Sequence, residues 1–426
     1  MSKKLLYLLL SAVALALLLG ACGPAANTAT ATAPAGPVTA AATTAAAGAC
    51  TDKIGCLTLG PNDPIHIAYM MVVSGPNSSL GIDTRRGVEI AVDDKSGKVA
   101  GHTVKFDGQD DTCSAEGGQA AGTKLAADKT IVAVIGGDCS SATTAALQVL
   151  GPAGFLVVSP AATAPSLTAP ATRNPAFYRS CYNDKVQGAL AAKFALEVLK
   201  AKSAATIHDG SPYAQQLQQV FADNFKAGGG TITSQEAGKP DDTDWTTQLR
   251  HIASGKPDMI YYPVFTAAAG FITSQSKVVS GMENVKLMTA DGAFSADFVK
   301  AAGAAAAGIY QSSPDITGLG SAYDDFVAKH KKKYNEAPLS VYHAHAYDAF
   351  NMIAQTIEKV AVKTADGGLM IPRQGLRDEF GKIQNFKGLT GSLSCDPNGD
   401  CGSNIVAVYQ IKSGDPKDFP PKKIYP

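Results

Sequence analysis

Apolar and polar positions follow two rhythms along this chain. From Pro64 the strand-like runs "IHIAYMMVV", "HTVKFDGQDD", "IVAVIGG" and "FLVVSP" are separated by helix-length stretches, "TRRGVEIAVDDKSG", "AEGGQAAGTKLAAD" and "SATTAALQVLGPAG". Short runs bounded by Gly or Pro read as buried strands, and apolar residues three and four apart read as one face of a helix. The succession predicts an α/β fold with a parallel sheet. A second series, from "DKVQGALAAKFALEVLKA" through "SAATIHD", "YAQQLQQVFADNFKAGG", "TITSQEA", "WTTQLRHIASG", "DMIYYPV" and "AAGFITSQSKVVSG" to "KLMTADG", repeats it. The pattern therefore predicts two doubly wound lobes, then a helix over "AYDAFNMIAQTIEKVAV" and a closing hairpin around "LTGSLSCDPNGDCGSNIVAVYQI". In open parallel sheets ligands sit beyond the carboxyl ends of the strands, which in a two-lobed protein face a cleft.

The first 56 residues break this rhythm. Lys3 and Lys4 precede an apolar stretch from Leu5 to Leu19, followed by "LGAC". That is the n-region, h-region and small-residue site of a secretory signal, too short to span a membrane as a helix. Ending at Cys22, it is similar to a bacterial lipoprotein signal, in which Cys22 carries lipid and begins the mature chain. Gly23 to Ala49 is almost wholly Ala, Thr, Pro and Gly without a charge, a composition that cannot offset chain entropy by burial and reads as a tether. Its coil reach is about 30 Å. Lys+Arg and Asp+Glu both number 37, so no net field draws nucleic acid. The basic run "KHKKK" at Lys329 to Lys333 reads as a solvated helix end.

Eight cysteines suit an exported chain. Cys50 and Cys56 flank "TDKIG", and Cys395 and Cys401 flank "DPNGD", so both pairs are candidate short staples. No Cys/His spacing fits structural zinc. A calcium loop starting at "DPNGD" fails as well, with Cys401 where Gly is needed and Ala407 where Glu is needed.

Two strand ends carry candidate chemistry. "IVAVIGGDCSSATT" is a strand, a Gly-Gly turn and Ser140-Ser141 at a helix start, where free N–H groups and the helix dipole favour an anion. "VVSPAAT" ends the next strand, so Ser140 and the loop from Ala161 to Thr163 converge on one spot suited to a small carboxylate. Ser140 or Ser141 is equally readable as a simple N-cap.

"DDTCSAEGGQAA" with Cys113, "VIGGDCSSATT" with Cys139 and "SPAATAPSLT" closely resemble the leucine/isoleucine/valine-binding proteins, type 1 periplasmic binding proteins that deliver amino acids to ABC transporters. The likeness continues through "MVVSGPNSSLGIDTRRGVEIAVDD", "IHDGSPYAQQL", "DDTDWTTQLRHIASGKPDMIYY" and "HAYDAFNMI". It implies two Rossmann-like lobes joined by a three-crossing hinge, a ligand cleft between them, and an ABC permease as partner. It also implies that Ser140, with the N–H groups of Ala161 and Thr163, binds the ligand carboxylate, and that the Ala161 carbonyl and Thr163 hydroxyl take the ammonium. Tyr213 in "DGSPY" closes over the ligand, Asp291 in "TADGA" faces the ammonium, and Cys113 and Cys139 form a disulfide. Where relatives place an aromatic residue in the side-chain pocket, this chain has Leu80. The head site is expected to be retained and the choice of side chain altered.

Other residues have plainer readings. His343 and His345 lie about 200° apart on a helix, which argues against a shared metal. Trp245 is expected in the core, and of Tyr261 and Tyr262 one reaches the cleft and the other packs. Cys181 is either free near the first crossing or a sign of different pairing. No motif for catalysis or a cofactor is present: there is no G-x-S-x-G, HExxH, P-loop or GxGxxG, and Ser140 lacks a matched base, with His208 the nearest candidate. The expected organisation is signal 1–21, tether 22–56, lobe one 57–181 and 314–391, and lobe two 182–313 and 392–426. The expected protein is a monomeric, lipid-anchored, exported receptor for a branched-chain or aliphatic amino acid, without cofactor. The alternatives are a sensor or envelope scaffold on the same fold, and a receptor for an amide, urea or small carboxylate.

Overall fold

A computed structural model describes residues 49–426. The signal, Cys22 and the chain up to residue 48 lie outside the described residues. The first sheet runs in the order Lys98–Val99, His102–Asp110, Ile65–Met71, Ile131–Gly136, Leu156–Ser159, Phe177–Arg179, and all its pairings but the outermost, with Lys98–Val99, are parallel. Ile67 stands between Phe106 and Ala133. Strands buried on both faces need no polar alternation, which is why Ile131–Gly136 is apolar and buried throughout.

Neighbouring strand residues feed opposite cores. Ile67, Ile135 and Val158 pack with Val88 and Ala91 of the helix Ser78–Asp94 and with Phe350 and Ile353 of the helix His343–Val360. Ala68, Val134 and Val157 pack with Leu125, Ala146 and Leu147 on the other face. Each large side chain so buried contributes about 2 kcal/mol.

The second sheet repeats the plan in the order Lys422–Tyr425, Val406–Gln410, Tyr310–Pro314, Lys286–Thr289, Met259–Tyr261, Ser203–His208, Thr231–Ala237. In each sheet the first parallel strand of the lobe lies between the second and the third parallel strands, so the order is doubly wound and the winding reverses beside the first strand. Two Rossmann-like lobes result. Trp245 is fully buried in the second, its indole N–H donating to the Asp242 carbonyl at 3.0 Å.

The chain passes between the lobes three times: after Arg179, after Pro314, and, later than the expected boundary at 391, between Cys401, which packs with Leu393 and Cys395 in the first core, and Val406, which starts a strand of the second sheet. The expected closing hairpin does not form. Gly391–Leu393 pairs with Phe386–Gly388, whereas Val406–Gln410 pairs with Tyr310–Pro314. The turn residues of "DPNGD" close the Cys395–Cys401 loop instead of joining two strands. Cys50–Cys56 and Cys113–Cys139 are also bonded, and Cys181 is free and buried. The basic run ends the helix Ser321–Tyr334, but it is not merely solvated: Lys329 and Lys333 each reach a carboxylate, Asp94 and Asp93, at 2.6 Å. No helix among the described residues is long and apolar enough to cross a membrane.

Candidate functional site

The winding-reversal points of the two sheets bring two sets of strand ends together. From the first come Gly137 to Ser140, with the loop after Ser159 beside them; from the second come Asp209 to Tyr213 and the chain after Tyr261. Ser140 opens the helix Ser140–Leu150, but the N-cap is Cys139, so neither serine caps it. The Ser140 hydroxyl instead accepts the N–H of Ala164 at 3.2 Å, and Ser141 donates to the Cys113 carbonyl at 3.0 Å. Helix geometry leaves the first-turn N–H groups without intrahelical acceptors.

The loop from Ala161 to Thr168 is shaped from beneath. Ser159 Oγ accepts from the N–H groups of Ala161 (3.3 Å) and Ala162 (2.8 Å) and donates to the Gly137 carbonyl. Arg179, wholly buried, donates to the carbonyls of Ala162 and Ala164 at 3.0 Å each and to the Thr168 hydroxyl, and its Nε meets Asp400 at 2.5 Å. A loop without charges of its own is thus fixed by one buried cation and the hydroxyls of Ser159 and Ser140.

Across the cleft, Tyr213 and Asp291 are in direct contact. Tyr213 donates to Asp291 Oδ1 at 2.8 Å and accepts the Gly292 N–H at 3.1 Å. A Cβ on Gly292 would lie 3.0 Å from the Tyr213 ring, so glycine permits this approach. Gln187 donates to the same Oδ1 at 2.7 Å, and Tyr342 to Oδ2 at 2.8 Å. Thr163 donates to a second acid, Asp184 Oδ2, at 3.0 Å. Burial first raises the Asp184 carboxyl well above the ordinary range, and the neighbouring Asp291 charge adds to that; burial likewise raises Asp291, against the hydrogen bonds it accepts. The phenols of Tyr182, Tyr213, Tyr261 and Tyr342 are all pushed up, first by burial and then by acid charge or bonding, and so act as donors.

Tyr342 is held by Asp83, which accepts the N–H groups of Leu339, Tyr342 and His343 at 2.9 to 3.1 Å and the His343 ring at 3.0 Å. A carboxylate at the start of the helix His343–Val360 suits its dipole. His343 is therefore a structural partner of Asp83 and of the Tyr323 hydroxyl. His208 accepts the Gly210 N–H at 3.0 Å.

The lobes are closed on each other. Tyr342 to Asp291, Ser340 to the Phe294 carbonyl at 3.1 Å and a two-way Ser166–Gln216 pair at 2.9 Å all span the cleft. Leu80 is buried in the apolar cluster that holds Val72, Cys139, Ala161, Tyr182 and Tyr213. A groove of about 690 Å³ opens at the rim, bordered by Asn77, Cys113 and Ser141 on one side and Asp209, Pro212 and Phe265 on the other.

A profile of the periplasmic binding proteins matches residues 64–416. The chain belongs to the periplasmic binding protein family. The Leu/Ile/Val-binding protein BraC3 of Rhizobium johnstonii is 28% identical over 354 residues, 82% of this chain and 92% of that protein. The leucine binding protein of Thermotoga maritima superposes with a TM-score of 0.74 at 25% identity, over 82% of this chain and 96% of its own. The branched-chain amino acid transporter substrate binding protein of Streptococcus pneumoniae, solved with isoleucine, gives 0.72 at 26% identity, over 85% and 100%. Periplasmic binding proteins are exported, bind small solutes and serve ABC permeases, so this chain is a binding protein and not an enzyme.

Within this periplasmic binding protein, sequence reasoning missed Asp184, Gln187, Tyr182 and Tyr342. Asp184 and Gln187 stand three apart in "NDKVQG" on the helix Asp184–Glu197, which places them on one face; that spacing was the available signal. Tyr342 offered none, lying beside the more conspicuous histidines.

Proposed function

We propose that this chain is the lipid-anchored, monomeric solute receptor of an ABC transporter, tethered through Cys22 at the outer face of the cytoplasmic membrane or in the periplasm, and that it captures an amino acid with an aliphatic or small side chain. The observation that carries this reading is the pairing of opposite ends across the cleft. On one side stands the start of the helix at Ser140 with the uncharged Ala161–Thr163 loop; on the other stand the buried acids, Asp184 against the Thr163 hydroxyl and Asp291 against Tyr213. A carboxylate fits the first and an ammonium the second. Leu80, in the cluster that includes Ala161 and Tyr213, borders the side-chain end. The lobes, 57–181 with 314 to about 401 and 182–313 with the rest, close on the solute, which shifts the open and closed populations by its extra affinity for the closed form. The names of the relatives agree with an amino-acid cargo.

A thermal-shift panel of L-amino acids, amides, urea, simple carboxylates and sugars tests this. At least one aliphatic or small polar amino acid should bind with Kd near micromolar, about −8 kcal/mol, and at a hundredfold excess add about 2.7 kcal/mol of stability. Shifts confined to sugars, amides or simple carboxylates would refute the amino-acid reading.

A further inference from the structure

The rim groove of about 690 Å³ is a concavity separate from the place assigned to the solute. Ser140, Ala161, Thr163, Tyr213, Asp291 and Leu80 do not border it, although Ser141 and Pro212, the chain neighbours of two of them, do. Pro212, Phe265, Ala268 and Phe271 give it apolar walls. A hollow of this size, mostly apolar with a few polar groups, has the make-up of a site for a small organic molecule.

Its polar groups are unevenly satisfied. Asp209 borders the groove from the second lobe and is wholly buried. Its Oδ1 accepts the Ser211 N–H at 3.0 Å, whereas its Oδ2 has no hydrogen bond and no access to solvent. Burial raises the carboxyl above the ordinary range, against the pull of the Ser211 and Phe265 N–H groups. On the first-lobe wall, Asn77 likewise has a buried Oδ1 without a partner. Buried acceptors left without donors cost stability until a donor arrives.

The charge around the groove has one dominant sign. Its charged side chains are Glu116, Asp209, Asp241 and Asp242 against Lys239. Such a surplus draws cations into a cleft. His208, next to Asp209, does not supply the missing charge, because burial pushes its imidazole below the ordinary range. Among the described residues no three His, Cys, Asp or Glu side chains are arranged to hold a metal ion. The fitting occupant is therefore a cation that brings its own N–H donors and an apolar body.

We propose that the rim groove is a second binding site, for an organic cation: an ammonium on a small aromatic or aliphatic body. Its N–H groups meet Asp209 and Asn77, and its body lies against Pro212, Phe265 and Phe271. Because the walls belong to different lobes, the amine touches both only when the lobes are closed. The solute also favours the closed form, so each ligand should tighten the other, by the same factor in both directions. The site does not depend on what the main cleft holds.

The test is calorimetry with phenethylamine and its uncharged counterpart phenethyl alcohol, on the protein alone and saturated with the solute found in the thermal-shift panel. The wild type should bind the amine and prefer it to the alcohol. Asp209→Asn should weaken the amine by roughly thirtyfold, the range seen when one member of a buried charged pair is removed, and should erase that preference. Saturating solute should tighten the amine by roughly fivefold or more. If Asp209→Asn fails to fold, Ala267→Trp, which fills the groove from its half-buried wall, should abolish amine binding while the solute still binds. Equal affinity for amine and alcohol, or amine binding unaltered in these variants, would overturn the proposal. So would displacement of the amine by the solute, which would place it in the main cleft. A panel without an amino-acid hit, beside amine binding that Asp209→Asn removes, would sink the amino-acid reading and support the groove.

Discussion

Asp111 shows how far one side chain can work against the fold that holds it. Its Oδ1 accepts the Cys113 N–H at 2.9 Å, its Oδ2 is buried without a partner, and burial, aided by Asp110, raises its carboxyl to about 7. Asp138, wholly buried and bonded to the Val72 N–H, is raised well above the ordinary range, first by burial and then by the Asp111 charge. The native state therefore holds these protons more tightly than the unfolded chain does. Stability at Asp111 is complete below pH about 4 and falls as pH rises through 7, by about 4 kcal/mol in all. Asp111→Asn, neutral at every pH, should flatten that slope and be more stable than the wild type at pH 8, as read by urea unfolding across the range; an unchanged slope would count against it. Ser140, Thr163, Tyr213 and Asp291 could be singled out beforehand because each lies in a short ungapped motif that carries the family resemblance. For Asp184 the three-residue spacing to Gln187 was the one signal, and it went unread because "YND" before a helix looks like ordinary capping chemistry and its neighbour Asp291 lies more than a hundred positions later.

At the scale of elements, the Cys113–Cys139 disulfide joins the turns that open the helices Ala115–Ala127 and Ser140–Leu150. Gly118 lets these helices touch, since a Cβ there would lie 2.2 Å from the Ala142 carbonyl oxygen. Closing a loop over a sequence separation of 26 contributes about 3.5 kcal/mol in the chain-entropy view. Replacing both cysteines with serine should lower unfolding free energy by about that much and weaken solute binding through the Ser140 turn. Mass spectrometry that finds either thiol free in the exported protein would contradict the bond. Strands and helices of the two lobes were readable because each keeps one clean period over a short span. The last third was less so: "LTGSLSC" and "NIVAVYQI" both look like strands flanking a turn, yet their partners, Phe386–Gly388 and Tyr310–Pro314, are chosen by tertiary placement. Local pattern carries no information on that choice.

Over the whole molecule, the Arg179–Asp400 pair ties the first passage between the lobes to the third and, through Ala162, Ala164 and Thr168, to the solute loop. Asp400→Asn leaves a fully buried guanidinium with its main counter-charge gone, a change that typically costs about 3 kcal/mol. The variant should unfold at lower urea and bind the screened amino acid more weakly, whereas a loss of stability with unaltered affinity would separate the tie from the loop. The three passages have another consequence, which concerns the order in which the molecule can be made. A chain threaded through the membrane amino end first presents Ile67, Ile135 and Val158 long before Phe350 and Ile353, which cover them, have emerged. The second sheet likewise waits for Val406–Gln410. Neither half is finished until the tail is out, so the emerging polypeptide exposes greasy surface throughout its translocation, and a holding chaperone on the far side has something to grip almost to the final residue.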